Sequence, residues 1–181
     1  RQAGVKTVVS FVLRWNPLFS TLKNLIAQGA FGNIYYVETD YQSNIASWWA
    51  GFSEARLKEK GVSAMLVAGC HALDAARWFA GPEQDKAARV TEVFAYCGGW
   101  RKGCTREYNY YTGEWADNRP PMEYEGLEVY MLKFENGALG KVTQLPLGAL
   151  NPGNVYVNLM AADVTARAAT SSSGVRCVES T

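Results

Sequence analysis

The chain carries a single histidine, His71, and imidazole is the side chain that exchanges protons near neutral pH. Asp74 follows three residues later and Trp78 seven later, a spacing that puts all three on one helix face. His71 is therefore the candidate catalytic group, able to take the proton of a substrate hydroxyl, although a lone histidine on an apolar helix also reads as a core residue. Asp74 reads as a helix-stabilising group or as the partner of Arg77. Arg14 closes an apolar run and is a candidate substrate contact, the alternative being a solvated strand end. Trp48 and Trp49 are candidate substrate contacts too, because flat aromatic faces suit the apolar faces of sugar rings; a tryptophan pair can equally be packing.

Cys70, Cys97, Cys104 and Cys177 include no CxxC pair, and one histidine cannot complete a zinc set with them, so no metal site is expected. Free thiols in a reducing compartment are the simple reading, with a Cys97 to Cys104 bridge left open.

These residues need elements to hold them. Val5 to Leu13 is a nearly continuous, β-branched apolar run and reads as a strand buried on both faces. Asn16 and Pro17 start a helix, with Leu18, Leu22, Leu25 and Ile26 on one face and Gly29 at its end. Asn33 to Gln42 reads as a second strand, and Glu54 to Lys60 as a short exposed helix. Val62 to Ala80, small and apolar throughout and stopped by Gly81-Pro82, reads as one buried helix carrying His71. Val90 to Cys97 is a strand, and Gly98 to Glu123 is a long polar-aromatic loop whose Arg101, Arg106, Trp100 and Trp115 could cover a pocket or a subunit contact. Gly126 to Phe134 and Ala138 to Leu145 form an antiparallel hairpin, its Asn136-Gly137 pair supplying positive φ angles. Val155 to Met160 adds a strand, after which Ala, Ser and Thr fill the sequence without a period.

This order predicts an α+β fold: an open, mainly antiparallel sheet with helices packed on one face. The chain has 181 residues, 48% of them apolar, enough for a sizeable core. A net charge of +1 gives no broad field to gather nucleic acid or acidic membranes. With no apolar run of the roughly 20 residues that span a bilayer, a cytoplasmic protein is expected.

Three blocks, RWNPLFSTLKNLIAQGAFGNIYYVETDY, GVSAMLVAGCHALDAARWFAG and YEGLEVYMLKFENGALGKV, resemble in order the C-terminal region of Gfo/Idh/MocA oxidoreductases, with Gly69, His71 and Asp74 as the best marker. The resemblance spans roughly Thr7 to Met160. It implies residues 1–14 as a remnant last strand of a Rossmann half, 15–160 as the substrate-binding and oligomerisation domain, and 161–181 as an atypical tail outside the core. Because the chain opens at Arg1 without a methionine and runs almost at once into an apolar strand, a boundary inside a larger protein, or a gene fragment, is expected. The family's full-length members use NAD or NADP, but no G-x-G-x-x-G and no Glu-Lys-Pro occurs here, so no cofactor is expected to be held by this chain. The resemblance also implies His71 as the proton-transfer group on a sugar, polyol or related hydroxyl substrate. Many members place an aspartate four residues before that histidine; here Val67 stands there. A homodimer through the sheet face is the expected partner arrangement, and a non-catalytic oligomerisation or small-ligand module is the competing expectation.

Overall fold

The computed structural model of the chain describes residues 4–6, 8–42, 56–99, 102–109, 112–116, 118–145, 154–162, 165–171 and 174–179. Trp48, Trp49, Trp100 and Arg101 lie outside them. Residues Val12–Trp15 form a single 3₁₀ turn, and the first helix, α1 (Pro17–Ala27), follows directly. Its start is as expected: the Asn16 side chain accepts from the backbone N–H of Leu18 at 3.0 Å and of Phe19 at 3.5 Å, and proline occupies the first turn. Its end is a Schellman motif, with Ala30 donating to the Leu25 carbonyl at 3.0 Å and Gly29 to that of Ile26 at 2.9 Å.

Among the described residues the sheet has seven strands. In chain order its members are β1 (Ile34–Gln42), β2 (Val90–Gly98), β5 (Leu127–Phe134), β6 (Leu139–Leu145), β7 (Asn154–Ala161), β8 (Thr165–Ser171) and β9 (Gly174–Glu179), while β3 (Glu107–Asn109) and β4 (Glu114–Ala116) form a separate two-stranded ribbon. The spatial order is β2-β5-β6-β1-β7-β8-β9. Every pairing in it is antiparallel except β1 with β6, which are parallel with Tyr36 opposite Leu139 and Tyr41 opposite Gln144. The expected α+β architecture, mainly antiparallel and open, is the observed one.

Two short helices besides α1 complete the described elements: α2 (Lys58–Gly61) and α3 (Cys70–Ala80), the latter entered through a π-helical turn at Met65–Gly69. Helix α3 lies on β1 and β6, and the Thr39 hydroxyl of β1 donates to the Ala72 carbonyl at 3.0 Å, which pins helix to sheet. Phe19 of α1 meets Phe79 of α3 edge to face at 5.8 Å. Val37, Val142, Val157, Leu159, Leu132 and Phe134 supply the sheet side of this core. Strand alternation sends the next residues the other way, so Tyr36, Glu38, Asp40, Lys141, Met131, Phe94 and Tyr96 share the face that no described helix covers.

Three expectations need correction. The described residues of 5–13 form no strand, and Val8 is 90% exposed; a strand buried on both faces needs neighbours at both edges, and no described strand pairs with this segment. The described residues of 161–181 are not a tail outside the sheet: Ala161 ends β7, and β8 and β9 continue the ladder. Backbone hydrogen bonds satisfy an edge ribbon whatever its apolar period, which is why the Ala/Ser/Thr composition misled. At the β5–β6 connection Gly137 has positive φ, +85°, and Asn136 does not, against the expected pair; Gly137 donates to the Phe134 carbonyl at 3.0 Å and Phe134 to that of Ala138 at 2.9 Å, the pattern of a three-residue loop with a bulge.

Candidate functional site

The site is built where the first turn of α3, strand β1 and the 3₁₀ turn meet. The helix is introduced by unusual backbone: Val62 has φ 64° and ψ −60°, and Ser63 donates to the Gly61 carbonyl at 2.7 Å, a γ-turn of the strained hand. The π-helical turn comes next. Its first free N–H, that of Met65, is met by the buried carboxylate of Glu128 at 3.2 Å, whose other oxygen accepts from the Tyr130 hydroxyl at 2.6 Å. Gly69 ends the π turn against β6, where a Cβ would stand 2.6 Å from the Met65 sulfur and 3.1 Å from the Gln144 Oε1, so a larger residue would require those side chains to shift. The single uniform helix expected from Val62 to Ala80 is thus a γ-turn, a π turn and an α-helix, and the widened turn falls immediately before His71.

His71 is half-buried between two aromatic rings. Phe11 stands edge-on at 6.2 Å and Tyr41 tilts at 31° with its centroid 6.0 Å away. The imidazole Nδ1 is buried and no described group hydrogen-bonds to it; the Oε1 of Gln144, a residue 1% exposed, is in the same condition. Buried polar atoms without partners are uncommon in folded proteins, and these two lie on the elements that meet at Gly69 and His71. Burial lowers the His71 pKa below its ordinary 6.5, while the Asp74 carboxylate pulls the other way. Burial likewise raises the Tyr41 hydroxyl and the Cys70 thiol, so both stay protonated near neutral pH.

Asp74 does not pair with Arg77. Arg77 is turned to the loop after α3, where its Nε donates to the Ala88 carbonyl at 3.3 Å. Asp74, 5% exposed, is gripped at two points by Arg14, whose Nε and NH2 both stand 2.7 Å from its oxygens. Arg14 also lies over the Trp78 ring at 5.5 Å, and its carbonyl accepts from the Ser20 hydroxyl at 2.9 Å. The structure thus brings Arg14 and His71 to the same helix, but the guanidinium is spent on a carboxylate. Beneath this pair the fully buried ammonium of Lys23 donates to the Trp78 and Gly81 carbonyls at the end of α3.

Sequence reasoning missed Phe11 and Tyr41 as the walls around His71. Tyr41 was within reach, since it shares strand parity with Val37 and Thr39 on the face that carries α3. In the long loop the described part folds on itself, with Arg106 over Trp115 at 4.6 Å. Cys70, Cys97 and Cys104 are free thiols, and no group of metal-binding residues occurs among the described residues.

A family model described as the GFO/IDH/MocA C-terminal domain matches residues 19–145. The chain belongs to this family. The match covers the elements just described, from α1 to β6, and so includes the Gly69, His71 and Asp74 marker. An oxidoreductase of Synechocystis sp., sll0816, is 26% identical over 99 residues, which are 52% of this chain and 26% of that protein. Among solved structures, the WlbA dehydrogenase from Bordetella pertussis, in complex with NADH and UDP-GlcNAcA, superposes with a TM-score of 0.66 at 19% identity over 98% of this chain and 47% of that one. Levoglucosan dehydrogenase, in complex with NADH and levoglucosan, gives 0.68 at 18% identity over 97% and 47%. The fold is therefore that of an oxidoreductase C-terminal domain. The chain spans just under half the length of these two structures and about a quarter of the curated relative.

Proposed function

We propose that the chain is the substrate-side half of an NAD(P)-dependent oxidoreductase acting on a sugar, polyol or related hydroxyl compound, with His71 as its proton-transfer residue. The observation that carries this reading is the seat of His71: an imidazole in an aromatic slot, with a buried, unpartnered Nδ1 and burial that holds it neutral near pH 7. A neutral imidazole can accept the proton of a substrate hydroxyl as that carbon is oxidised. The nicotinamide, when bound in a whole enzyme, would supply the hydride chemistry. The residues present do not fit it: no G-x-G-x-x-G occurs in the sequence, and no described helix opens on a glycine-rich turn after a strand, so no step through the cofactor is assigned to this chain. By itself the chain is inactive on this reading. Val5, Val8 and Val9, all exposed, are consistent with a surface made to be covered by another half. The free thiols are in keeping with a cytoplasmic setting.

Two measurements test it. Titration of the purified chain with NADH and NADPH, followed by nicotinamide fluorescence, is expected to show no saturation. Joined to a family Rossmann half, the chain should oxidise a polyol panel, and His71→Gln should cost about 10²-fold or more in kcat. Because the His71 pKa is lowered, activity should hold at pH 6.5 and fall only as pH drops further. An undiminished His71→Gln enzyme would end the assignment.

A second reading, an assembly module, is favoured by the uncovered sheet face. Phe94 and Tyr96 are in edge contact at 4.9 Å, with exposed Met131 and Leu139 near them. Apolar faces of this kind mark association surfaces, and a second copy of the chain is the proposed occupant. Trp48 and Trp49 remain proposed substrate contacts.

A further inference from the structure

We propose that Tyr41 is a substrate contact of the His71 site: its hydroxyl donates to a substrate oxygen next to the one whose proton His71 takes, so that the site favours compounds with hydroxyls on neighbouring carbons. The inference deepens the proposed role of His71 and takes its catalytic meaning from it, while the pairing of the two side chains belongs to the folded chain.

Strand alternation brings Tyr41 there. Val37, Thr39 and Tyr41 share the face of β1 that carries α3, and the bond from Thr39 to the Ala72 carbonyl at 3.0 Å seats the first turn of α3 beside the end of that strand. Two residues on from Thr39, the Tyr41 ring meets the imidazole with centroids 6.0 Å apart and a tilt of 31°. The ring is packed against the core, yet no described group bonds to its hydroxyl, and that oxygen, unlike the imidazole Nδ1, is not sealed from solvent. A tyrosine with a packed body and an open polar end is suited to an amphipathic contact. Here the open end belongs to the ring that walls the one histidine.

The two groups are complementary in hydrogen bonding. Burial, and after it the neighbouring Cys70, raise the Tyr41 hydroxyl above its ordinary value, so near neutral pH it remains a donor. The imidazole, held neutral by burial, offers a lone pair. A carbinol O–H given to His71 and a neighbouring oxygen accepting from Tyr41 satisfy both. Each such bond is about 2.8 Å long, and with ring centres 6.0 Å apart one small molecule spans the two. The groups around them do not compete. Phe11, edge-on to the imidazole at 6.2 Å, has no polar atom in its side chain, and the Cys70 thiol is directed to the Ala68 carbonyl at 3.9 Å. Arg14 is committed at two points to Asp74. Tyr41 is thus an uncommitted donor beside the proton acceptor.

Tyr41→Phe removes one oxygen and keeps the ring wall. His71 is the only histidine, so its imidazole resonances report binding by NMR without assignment ambiguity. The probes are cis-1,2-cyclohexanediol and cyclohexanol, alike in their ring and first hydroxyl and different in the second. In the parent chain the diol is expected to shift the His71 resonances, and in Tyr41→Phe its affinity should fall about tenfold, the loss of one neutral hydrogen bond, while cyclohexanol binds both chains alike. Equal diol affinity in the two chains overturns the proposal, as does a parent chain whose His71 resonances the diol leaves unmoved. A second measurement needs no variant and holds even if Tyr41→Phe does not fold: the parent should bind the diol about tenfold more tightly than cyclohexanol, and equal affinity is disproof. None of these readings uses turnover, so a His71→Gln enzyme that kept its activity would end the catalytic reading of His71 and leave this test standing.

Discussion

A buried lysine shows how single residues in this chain settle where their neighbours end. Lys23 is fully buried, and its ammonium donates to the last carbonyls of α3, where the helix leaves acceptors unpaired and its dipole favours a cation. Burial first, and then the nearby Arg14 charge, bring its pKa down to about 8. Lys23→Met should remove two donors from carbonyls that stay buried, at a cost of about 2 kcal/mol in urea unfolding. The pH dependence has a definite sign. Between pH 8 and the ordinary lysine value near 10.4 the unfolded chain binds more protons than the folded one, so stability rises with pH across that window, and Lys23→Met should lose this rise. At this scale the sequence was half legible. His71 stood out because it is alone and framed by a motif; the partner of Asp74 did not, because Arg14 is 60 positions away and local spacing offered Arg77 instead.

Elements were legible where a period or a cap forces them. Asn16-Pro17, the alternation in β1 and the β5–β6 hairpin follow from short-range sterics and were recognised as such. The π turn was not, because a widened turn keeps the apolar composition of an ordinary helix and differs only in hydrogen-bond partners. The γ-turn ahead of it was equally hidden, since nothing about Val62 suggests positive φ. That backbone is costly for a β-branched residue. Val62→Gly should therefore stabilise the chain by about 1 kcal/mol, read as a higher urea midpoint with an unchanged slope. No gain would mean that surrounding contacts relieve the strain. Strands β8 and β9 escaped notice for a different reason: their pairing rests on backbone groups that every residue carries.

Among the described residues the sheet has one face covered by helices and one that no helix covers. On the uncovered side Met131 lies between Phe94 of β2 and Lys141 of β6 in the register, and it is 39% exposed. If two copies meet through this face, Met131→Glu should shift the solution mass by light scattering from dimer to monomer while leaving the circular dichroism unchanged. A monomeric parent chain would dispose of that arrangement. The topology carries a separate consequence. Its one parallel pairing, β1 with β6, joins two otherwise antiparallel ribbons across a sequence gap of about 100 residues, and α3 is laid over that junction. The β5–β6 and β7–β8–β9 hairpins can zip locally, but β1 has to meet both β6 and β7 across more than 100 residues, which is the slow kind of contact to make. The lone imidazole rides on the helix laid over that junction, and the walls of its slot come from Phe11 and from Tyr41 of β1. Its environment therefore reports the docking of α3 on β1 rather than the closing of the hairpins.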